Sequence, residues 1–337
     1  MLNYILRRSL AMPLILLGIV TMAFLLTTIT KGDPLTAVVS EQQMNNPEIV
    51  AAAKKRWGLD RSLPERYLIY VGNLIKGDMG TSFVTRRPVS TDLMARLPAT
   101  FELVICAMVI GSVIGIVFGL LAAYYRDTAI DQGARLFALF GSSVPIFWLG
   151  LAALFLFSVH YQILPGPGRI DPRMAQPPTV TGFMTIDTLL AGDFKAFKDA
   201  LAHLVLPSLA LGWTVAGTIS RLVRAYMLEV MEREFILTAR AKGAGEMRVV
   251  LRHAFRNILV PILTVISYSF AYLITGAILT ETVFAWPGVG SYAVTAARSL
   301  DFPAIIGVTI VGGVMFLLTN LLTDIAYVMA NPRVRLN

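Results

Sequence analysis

Six long stretches without Asp, Glu, Lys or Arg constrain the fold of this sequence more than any other feature. A bilayer core of about 30 Å is crossed by about 20 residues of α-helix, since each residue adds about 1.5 Å. Hydrophobic residues make up 56% of the chain and charged residues 15%, against roughly 45–50% and 25% in soluble domains. The stretches span residues 9–30, 103–125, 136–164, 204–220, 258–280 and 303–323. The sequence therefore predicts an all-α integral membrane protein with six transmembrane helices.

Basic residues predict the orientation of these helices, because Lys and Arg in short loops near the spans stay on the cytoplasmic side. With a cytoplasmic N-terminus, the short inner connections hold 14 Lys and Arg residues and the short outer loops hold 5. Both termini are therefore expected in the cytoplasm. The net charge of +8 follows from this asymmetry and from contact with anionic lipid head groups, so we expect no nucleic-acid partner.

The sequence divides into four predicted parts. Residues 1–30 are the cytoplasmic N-terminus and helix 1, which is expected to be retained because no small-x-small cleavage site follows it. Residues 31–98 form a small extracytoplasmic subdomain between helices 1 and 2. Residues 99–330 form a five-helix core with an inner loop at 221–257, and residues 331–337 form a cytoplasmic tail.

Two outer regions carry local signals. In the subdomain, Ser62-Leu63-Pro64-Glu65 is typical of a helix start. One face of that helix is predicted to carry Tyr67, Leu68, Val71, Leu74 and Ile75. The second outer loop, 161–202, is rich in Pro and Gly, which favours irregular structure with one short helix near 193–201.

Several features inside the spans concern packing. Gly111, Gly115 and Gly119 recur every four residues, so we predict close approach of a neighbouring helix, with a substrate-lining role as the alternative. Pro145 is expected to kink the third helix, because its nitrogen has no hydrogen to donate; the kink is expected to set the helix's shape, with a role in gating as the alternative. Carboxylates at span ends are expected to be hydrated or paired, with a role in transport as the alternative. These carboxylates are Glu102, Glu281 and Asp324.

Catalytic motifs are missing from the sequence. It contains no Gly-Lys pair of a nucleotide-binding P-loop, no His-Glu-x-x-His and no Gly-x-Ser-x-Gly, and its three histidines are far apart. Cys106 is the one cysteine, which excludes an internal disulfide and a metal site built from cysteines. We therefore expect no enzyme activity, cofactor or metal site in this chain, and we expect energy for transport to come from a partner.

The inner loop 221–257 is the most informative segment because its charges are patterned. Glu229, Glu232 and Glu234 begin a helix-compatible run, where carboxylates complement the positive end of the helix dipole. Arg240 and Lys242 lie near its end. Glycines that can stop the run follow at Gly243 and Gly245. A later basic stripe consists of Arg248, Arg252 and Arg256. Spacing alone leaves two roles open, a segment lying on the inner leaflet and a docking site for a partner.

Residues of this loop resemble those of a known transporter family. The stretch Glu234-Phe235-Ile236-Leu237-Thr238-Ala239-Arg240-Ala241-Lys242-Gly243 is followed by Leu251-Arg252-His253-Ala254-Phe255-Arg256-Asn257 and by Pro261. It resembles the cytoplasmic coupling loop of type I ABC-importer permeases, in the dipeptide and oligopeptide branch. The sequence has Leu237 where the generic motif has Glu, and a longer interval from Gly243 to Pro261, and both departures are typical of the peptide branch.

The resemblance extends along the whole chain. Further matching segments, in order, are Tyr4-Ile5-Leu6-Arg7-Arg8, Gly32-Asp33-Pro34, Gly58-Leu59-Asp60, Gly77-Asp78-Met79-Gly80, Pro145-Ile146-Phe147-Trp148, residues 276–284, Trp286-Pro287-Gly288 and Asn331-Pro332-Arg333. On this series the chain is identified as a member of the dipeptide and oligopeptide permease family. It resembles the first permease subunit of such an importer in the bacterial inner (plasma) membrane.

The resemblance implies the type I ABC importer permease fold and a set of partners. The partners are a homologous second permease subunit, two cytosolic ABC ATPase subunits that bind ATP and Mg, an extracytoplasmic solute-binding protein and the lipid bilayer. The coupling helix is expected at 232–243, with small Ala239 and Ala241 near the ATPase and Gly243 at its end. Segments 31–98 and 161–202 are expected to dock the binding protein. The residues assigned to ATPase coupling are Glu232, Glu234, Thr238, Ala239, Arg240, Ala241, Lys242, Gly243 and Pro261.

The implied substrates are di- and oligopeptides, but alternatives remain open at this point. Importers of the same architecture carry haem, nickel complexes, glutathione or oligosaccharides. Direct nickel coordination by this chain is disfavoured, because the neutral spans hold no cluster of metal ligands. An ion-coupled secondary transporter, a membrane enzyme and a passive scaffold are the rival classes. A secondary transporter normally needs ionisable groups within the membrane, and it leaves the inner loop unexplained.

Overall fold

A computed structural model describes residues 2–29, 46–56 and 60–330. These residues form helices joined by turns and loops, and within them β structure is limited to an isolated bridge between Thr81 and Pro88. The all-α prediction is confirmed. The helices are α1 (Leu2–Ile29), α2 (Pro47–Arg56), α3 (Leu63–Ile75), α4 (Val89–Tyr124), α5 (Ala129–Ser143), α6 (Ile146–Ala153), α7 (Met184–Leu190), α8 (Phe194–Met231), α9 (Glu234–Ala241), α10 (Glu246–Arg248), α11 (Phe255–Val283), α12 (Val289–Arg298) and α13 (Phe302–Ala330). Helices α6 and α10 continue as π-helical turns at Leu154–His160 and Val249–Ala254.

Among the residues that the structure describes, five helical segments are long and apolar enough to cross a membrane. They lie in α1, α4, α8, the run from α10 into α11, and α13. The pair α5 and α6 is a sixth if it counts as one span, although the two helices bend by 108°. The break lies at Pro145, which has no N–H and forces the preceding Val144 into an extended conformation (φ −84°, ψ 126°). The kink predicted at Pro145 is therefore a complete break between two helices.

Two spans extend far beyond their uncharged stretches. Helix α4 begins at Val89, so Pro98, the expected end of the outer subdomain, lies inside a helix. Helix α8 covers 38 residues. Its start is capped by Asp193, whose Oδ1 accepts hydrogen bonds from the N–H groups of Lys195 (3.0 Å) and Ala196 (2.9 Å). The short helix expected near 193–201 is therefore the first part of α8.

Residues Met1–Thr100 and Pro287–Leu317 form one compact unit. In one part of its core, Val20 and Phe24 of α1 pack with Ile306 of α13 and with α3. The α3 side chains in this contact are Tyr67, Tyr70, Val71 and Leu74. Leu68 and Ile75, expected on the same face, are 69% and 82% exposed. That part of the prediction was wrong, because these two side chains project beside the packed stripe.

A second core cluster in this unit lies under the turn that precedes α4. It contains Val89 and Leu93 of α4, packed with Tyr292 of α12. Asp301 is 1% exposed and accepts hydrogen bonds from the hydroxyl of Ser82 and from the N–H groups of Val84 (3.2 Å) and Ala304 (3.3 Å). One buried carboxylate thus caps the start of α13 and holds the turn in place.

Residues Phe101–Trp286 and Leu318–Asn337 form the second unit. A close helix contact in this unit runs between α4 and α8. A Cβ atom on Gly111 would lie 2.5 Å from the carbonyl oxygen of Gly212, and one on Gly115 would lie 2.7 Å from that of Ala216. A Cβ atom on Gly119 would lie 2.6 Å from α8. The structure therefore places the glycine stripe in a backbone-to-backbone helix contact within this unit.

Candidate functional site

The loop expected at 221–257 is shorter in the structure, because α8 continues to Met231. Residues 232–254, which we call the inner segment, contain α9, a four-residue turn and α10 with its π-helical extension. The π-helical turn contacts α8, α9 and α11. The inner segment is therefore attached to both membrane helices that flank it.

Helix α9 has one buried face and one exposed face. Ile236 is fully buried and Ala239 is 8% exposed, and this spacing of three places both on the same face of the helix. Phe235 and Leu237 are 43% and 58% exposed. Thr238 is exposed, and its Oγ1 donates to the carbonyl oxygen of Glu234 at 3.1 Å. The chain fixes α9 through Ile236 and Ala239 and leaves the apolar side chains on either side of Ile236 exposed, as expected of a helix that docks a protein partner.

The end of α9 is set by Gly243, which has φ +81°. Its N–H donates to the carbonyl oxygen of Arg240 (2.9 Å), and the N–H of Ala244 donates to that of Ala239 (3.2 Å). This is the Schellman arrangement, in which glycine accepts the left-handed conformation without steric cost. Across the turn, Arg240 donates from Nε (2.8 Å) and Nη2 (3.1 Å) to the carboxylate of Glu246.

Charges at the start of the inner segment are also paired within the chain. Glu232 lies 3.4 Å from Nη1 of Arg126, in the loop after α4. Arg233 is bonded to Glu229 one turn earlier. All four side chains are more than half exposed, so these pairs contribute little to stability. They do orient the entry into α9, where Glu234 remains exposed in the first turn.

The other residues assigned to ATPase coupling differ in exposure, and their role in coupling stays a prediction. Ala239, expected against a partner, faces the chain's own core, because it lies three residues from the buried Ile236. Ala241 and Lys242 are exposed beside the turn. Pro261 lies inside α11, half-buried and away from α9 in sequence.

Sequence reasoning gave no role to Phe235 and Leu237, which supply the exposed apolar surface of α9. A signal was present, because Phe235, Ile236 and Leu237 are three consecutive apolar residues. A helix that packs on one side only cannot bury all three.

The basic stripe that follows is exposed, and only some of the apolar residues beside it are buried. Arg248, Arg252 and Arg256 are exposed, while Val249 and Ala254 of the same turn are fully buried. Leu251 and Met247 add further exposed apolar surface, at 50% and 61%. This stripe fits both a lipid surface and a partner.

The carboxylates near the span ends differ in burial, and Glu102 is held by hydrogen bonds. Glu102 is 4% exposed and accepts hydrogen bonds from Nη2 of Arg169 and from the N–H (2.8 Å) and Oγ1 (2.6 Å) of Thr185. Glu281 is fully buried, and Asp324 is half-buried. Glu102 thus ties the loop between α6 and α8 to α4.

The loop between α6 and α8 carries two acidic groups with lowered pKa values. A side-chain hydrogen bond from Arg173 lowers the pKa of Asp171 to about 2. Burial opposes ionisation of Asp187, but hydrogen bonds from Thr181 and Gly182 outweigh it and lower its pKa. Both carboxylates are ionised at neutral pH and stabilise the turns that they cap. Within residues 2–29, 46–56 and 60–330, no three His, Cys, Asp or Glu residues are grouped so that they could hold a metal ion.

Comparison with known proteins places these observations in a family. Residues 115–336 match the family described as "Binding-protein-dependent transport system inner membrane component", and residues 1–104 match its N-terminal component. The chain is 40% identical to the probable D,D-dipeptide transport system permease protein of Escherichia coli K12, over 97% of this chain and 96% of that protein. It is also 40% identical to the di/tripeptide transport system permease protein of Pseudomonas aeruginosa UCBPP-PA14, over 99% of each.

Among solved structures, the methionine ABC transporter MetNI in inward-facing conformations aligns with a TM-score of 0.48 and 16% identity, covering 71% of this chain and 96% of that chain. The family matches cover both the N-terminal residues 1–104 and the helices that carry the inner segment. This chain belongs to the family of inner-membrane components of binding-protein-dependent transport systems.

Proposed function

We propose that this chain is one of two homologous permease subunits of an ATP-driven importer of di- and oligopeptides. Relatives at 40% identity over nearly their full length are described as permeases for D,D-dipeptides and for di- and tripeptides. A family defined by dependence on a binding protein supports delivery of the solute by an extracytoplasmic partner. In this proposal both termini face the cytoplasm.

The observation that carries the proposal is the two-faced helix α9. Its exposed face, with Phe235 and Leu237, docks into a cytosolic ABC ATPase, and two such ATPases bind ATP with Mg. Its inner face, with Ile236 and Ala239 buried, prevents α9 from moving independently of the chain. Force applied to the exposed face is therefore passed to α8 and α11 through the π-helical turn.

Coupling of this kind needs two states that the ATPase distinguishes. ATP binding draws the two ATPases together, and the docked helices move with them. The permease subunits then rock between inward and outward access. Pairing of Arg240 with Glu246 across the turn stiffens the end of α9, so that movement of the ATPase is not lost in local bending.

The test is recovery of ATPase subunits with the purified chain, together with dipeptide uptake by cells that contain it. Leu237→Asp places a charge on the docking face, and we expect it to abolish both ATPase recovery and uptake while the chain stays in the membrane. Ile75→Asp, at a position 82% exposed on α3, is the matched control and should retain the ATPase. Normal recovery and uptake with Leu237→Asp would overturn the docking assignment. Uptake driven by an ion gradient without any ATPase would favour a secondary transporter.

A further inference from the structure

A second polar cluster lies on α5 and α8, outside the inner segment. Asp131 is completely buried, and two guanidinium groups bind it. Arg135 donates from Nε at 3.0 Å and Nη2 at 2.5 Å, and Arg224 donates from Nε at 2.6 Å and Nη2 at 2.8 Å. Because both contacts are bidentate, the two arginines are held in place before any ligand arrives.

The two arginines border an open pocket of about 570 Å³. The residues that line it are Gln132, Arg135, Leu136, Leu139, Arg221 and Arg224. Three of the six are arginines and none is a carboxylate. Asp131 beneath them offsets one charge. The exposed Asp127 lies 3.7 Å from Arg135 but is also paired with Arg126 at 3.3 Å, so the pocket keeps an excess of positive charge.

Arg221 is the arginine of this pocket for which the described residues show no ion pair. It lies on α8 one turn before Arg224 and is exposed, and none of the ion pairs found among the described residues involves it. Arg135 and Arg224 are 50% and 22% exposed at their side chains. Three guanidinium groups therefore converge where an anion would find hydrogen-bond donors already in position.

Apolar surface adjoins the basic part of the pocket. Leu136 and Leu139 follow Arg135 along α5, and each is 56% exposed. The proposed topology places Arg135 and Arg221 at the cytoplasmic boundary of the membrane, with the leucines deeper in the hydrocarbon. This combination of a cationic head site and an apolar wall matches a lipid with a charged head group better than a soluble anion.

We propose that this pocket binds one anionic phospholipid of the inner leaflet. Its phosphate lies against Arg135, Arg221 and Arg224, and an acyl chain lies along Leu136 and Leu139. This assignment rests on the proposed function for its placement in the inner leaflet. A bound lipid bridges α5 and α8, and thus adds to the contact that Asp131 makes between them.

The test measures lipid binding to the full-length purified chain, with any subunits that accompany it, after delipidation in detergent. Native mass spectrometry gives the affinity for phosphatidylglycerol and for phosphatidylcholine. We expect phosphatidylglycerol to bind more tightly. Arg221→Gln removes one positive charge, and Gln132→Glu adds one negative charge on the pocket lining; each should weaken phosphatidylglycerol binding about 5-fold. Arg298→Gln, an equal loss of charge at the exposed end of α12, should leave it unchanged.

Three results would overturn the proposal. Equal affinity for the two lipids would show that the pocket does not distinguish an anionic head group from a zwitterionic one. Unchanged binding in both pocket variants would place the lipid elsewhere. Binding of glycerol 3-phosphate as tight as that of the lipid would show that the leucine wall plays no part and that the site holds a soluble anion. Because lipid binding in detergent requires neither ATP nor uptake, its failure is separate from failure of the proposed function, which ATPase recovery reports.

Discussion

Replacing Gly111 by alanine tests the contact between α4 and α8 with a single methyl group. The new Cβ would lie 2.5 Å from the carbonyl oxygen of Gly212, so the two helices must separate by several tenths of an ångström. Overpacking of this kind costs about 1–3 kcal/mol, and the better helix propensity of alanine returns at most about 1 kcal/mol. From the middle of the overpacking range, about 2 kcal/mol, less this gain, we expect Gly111→Ala to lower the free energy of unfolding by about 1–2 kcal/mol.

Cys106, half-buried on the same helix, offers the assay. A thiol-reactive dye labels it when α4 opens, and a loss of about 1–2 kcal/mol raises the open fraction about 5- to 30-fold. Gly133→Ala is the matched control, because Gly133 lies inside α5 and a methyl group added there would have no neighbouring atom within 4 Å. It should label no faster than the unchanged chain. Equal labelling rates in Gly111→Ala and Gly133→Ala would refute the close contact.

Two further predictions follow from single positions. Gly243→Ala places a side chain at φ +81°, which costs about 1 kcal/mol. Uptake should therefore fall, although nothing lies within 4 Å of the new methyl group. The control variant Gly245→Ala, at φ −64°, should transport normally. Asp131→Asn leaves Arg135 and Arg224 without their buried carboxylate, and should lower stability in detergent by up to about 3 kcal/mol. Asp127→Asn, 75% exposed at the side chain, should change stability by less than about 0.5 kcal/mol.

Long apolar stretches predicted the membrane helices because burial in lipid acts on every residue of a span. The ends of these helices were poorly predicted, because a helix can continue past the residues that lie in lipid. Helix α4 carries Asp92 and Arg96 in its first turns, and the two side chains lie 3.8 Å apart, so charged residues continue the helix where a search for uncharged residues stops. The bend of 108° at Pro145 depends on how two helices pack, which a local rule for proline does not contain.

In the candidate site, too, local features could be predicted from the sequence and contacts between distant residues could not. The stop at Gly243 was predictable, because only local backbone geometry decides it. Inward placement of Ala239 was not, because charge spacing says nothing about which face of α9 meets the π-helical turn. Two long-range pairs, Arg126 with Glu232 and Arg224 with Asp131, join residues about a hundred positions apart, and no motif signals them.

The most direct test of the central claim is site-specific photo-crosslinking from α9 in the native membrane. A photoreactive side chain replaces Leu237, 58% exposed, and in a separate variant it replaces Leu139, 56% exposed on α5. We expect an adduct with a cytosolic ABC ATPase from position 237 and none from position 139. A transporting membrane in which position 237 gives no ATPase adduct, or in which both positions give the same adduct, would contradict the assignment of α9 as the coupling helix.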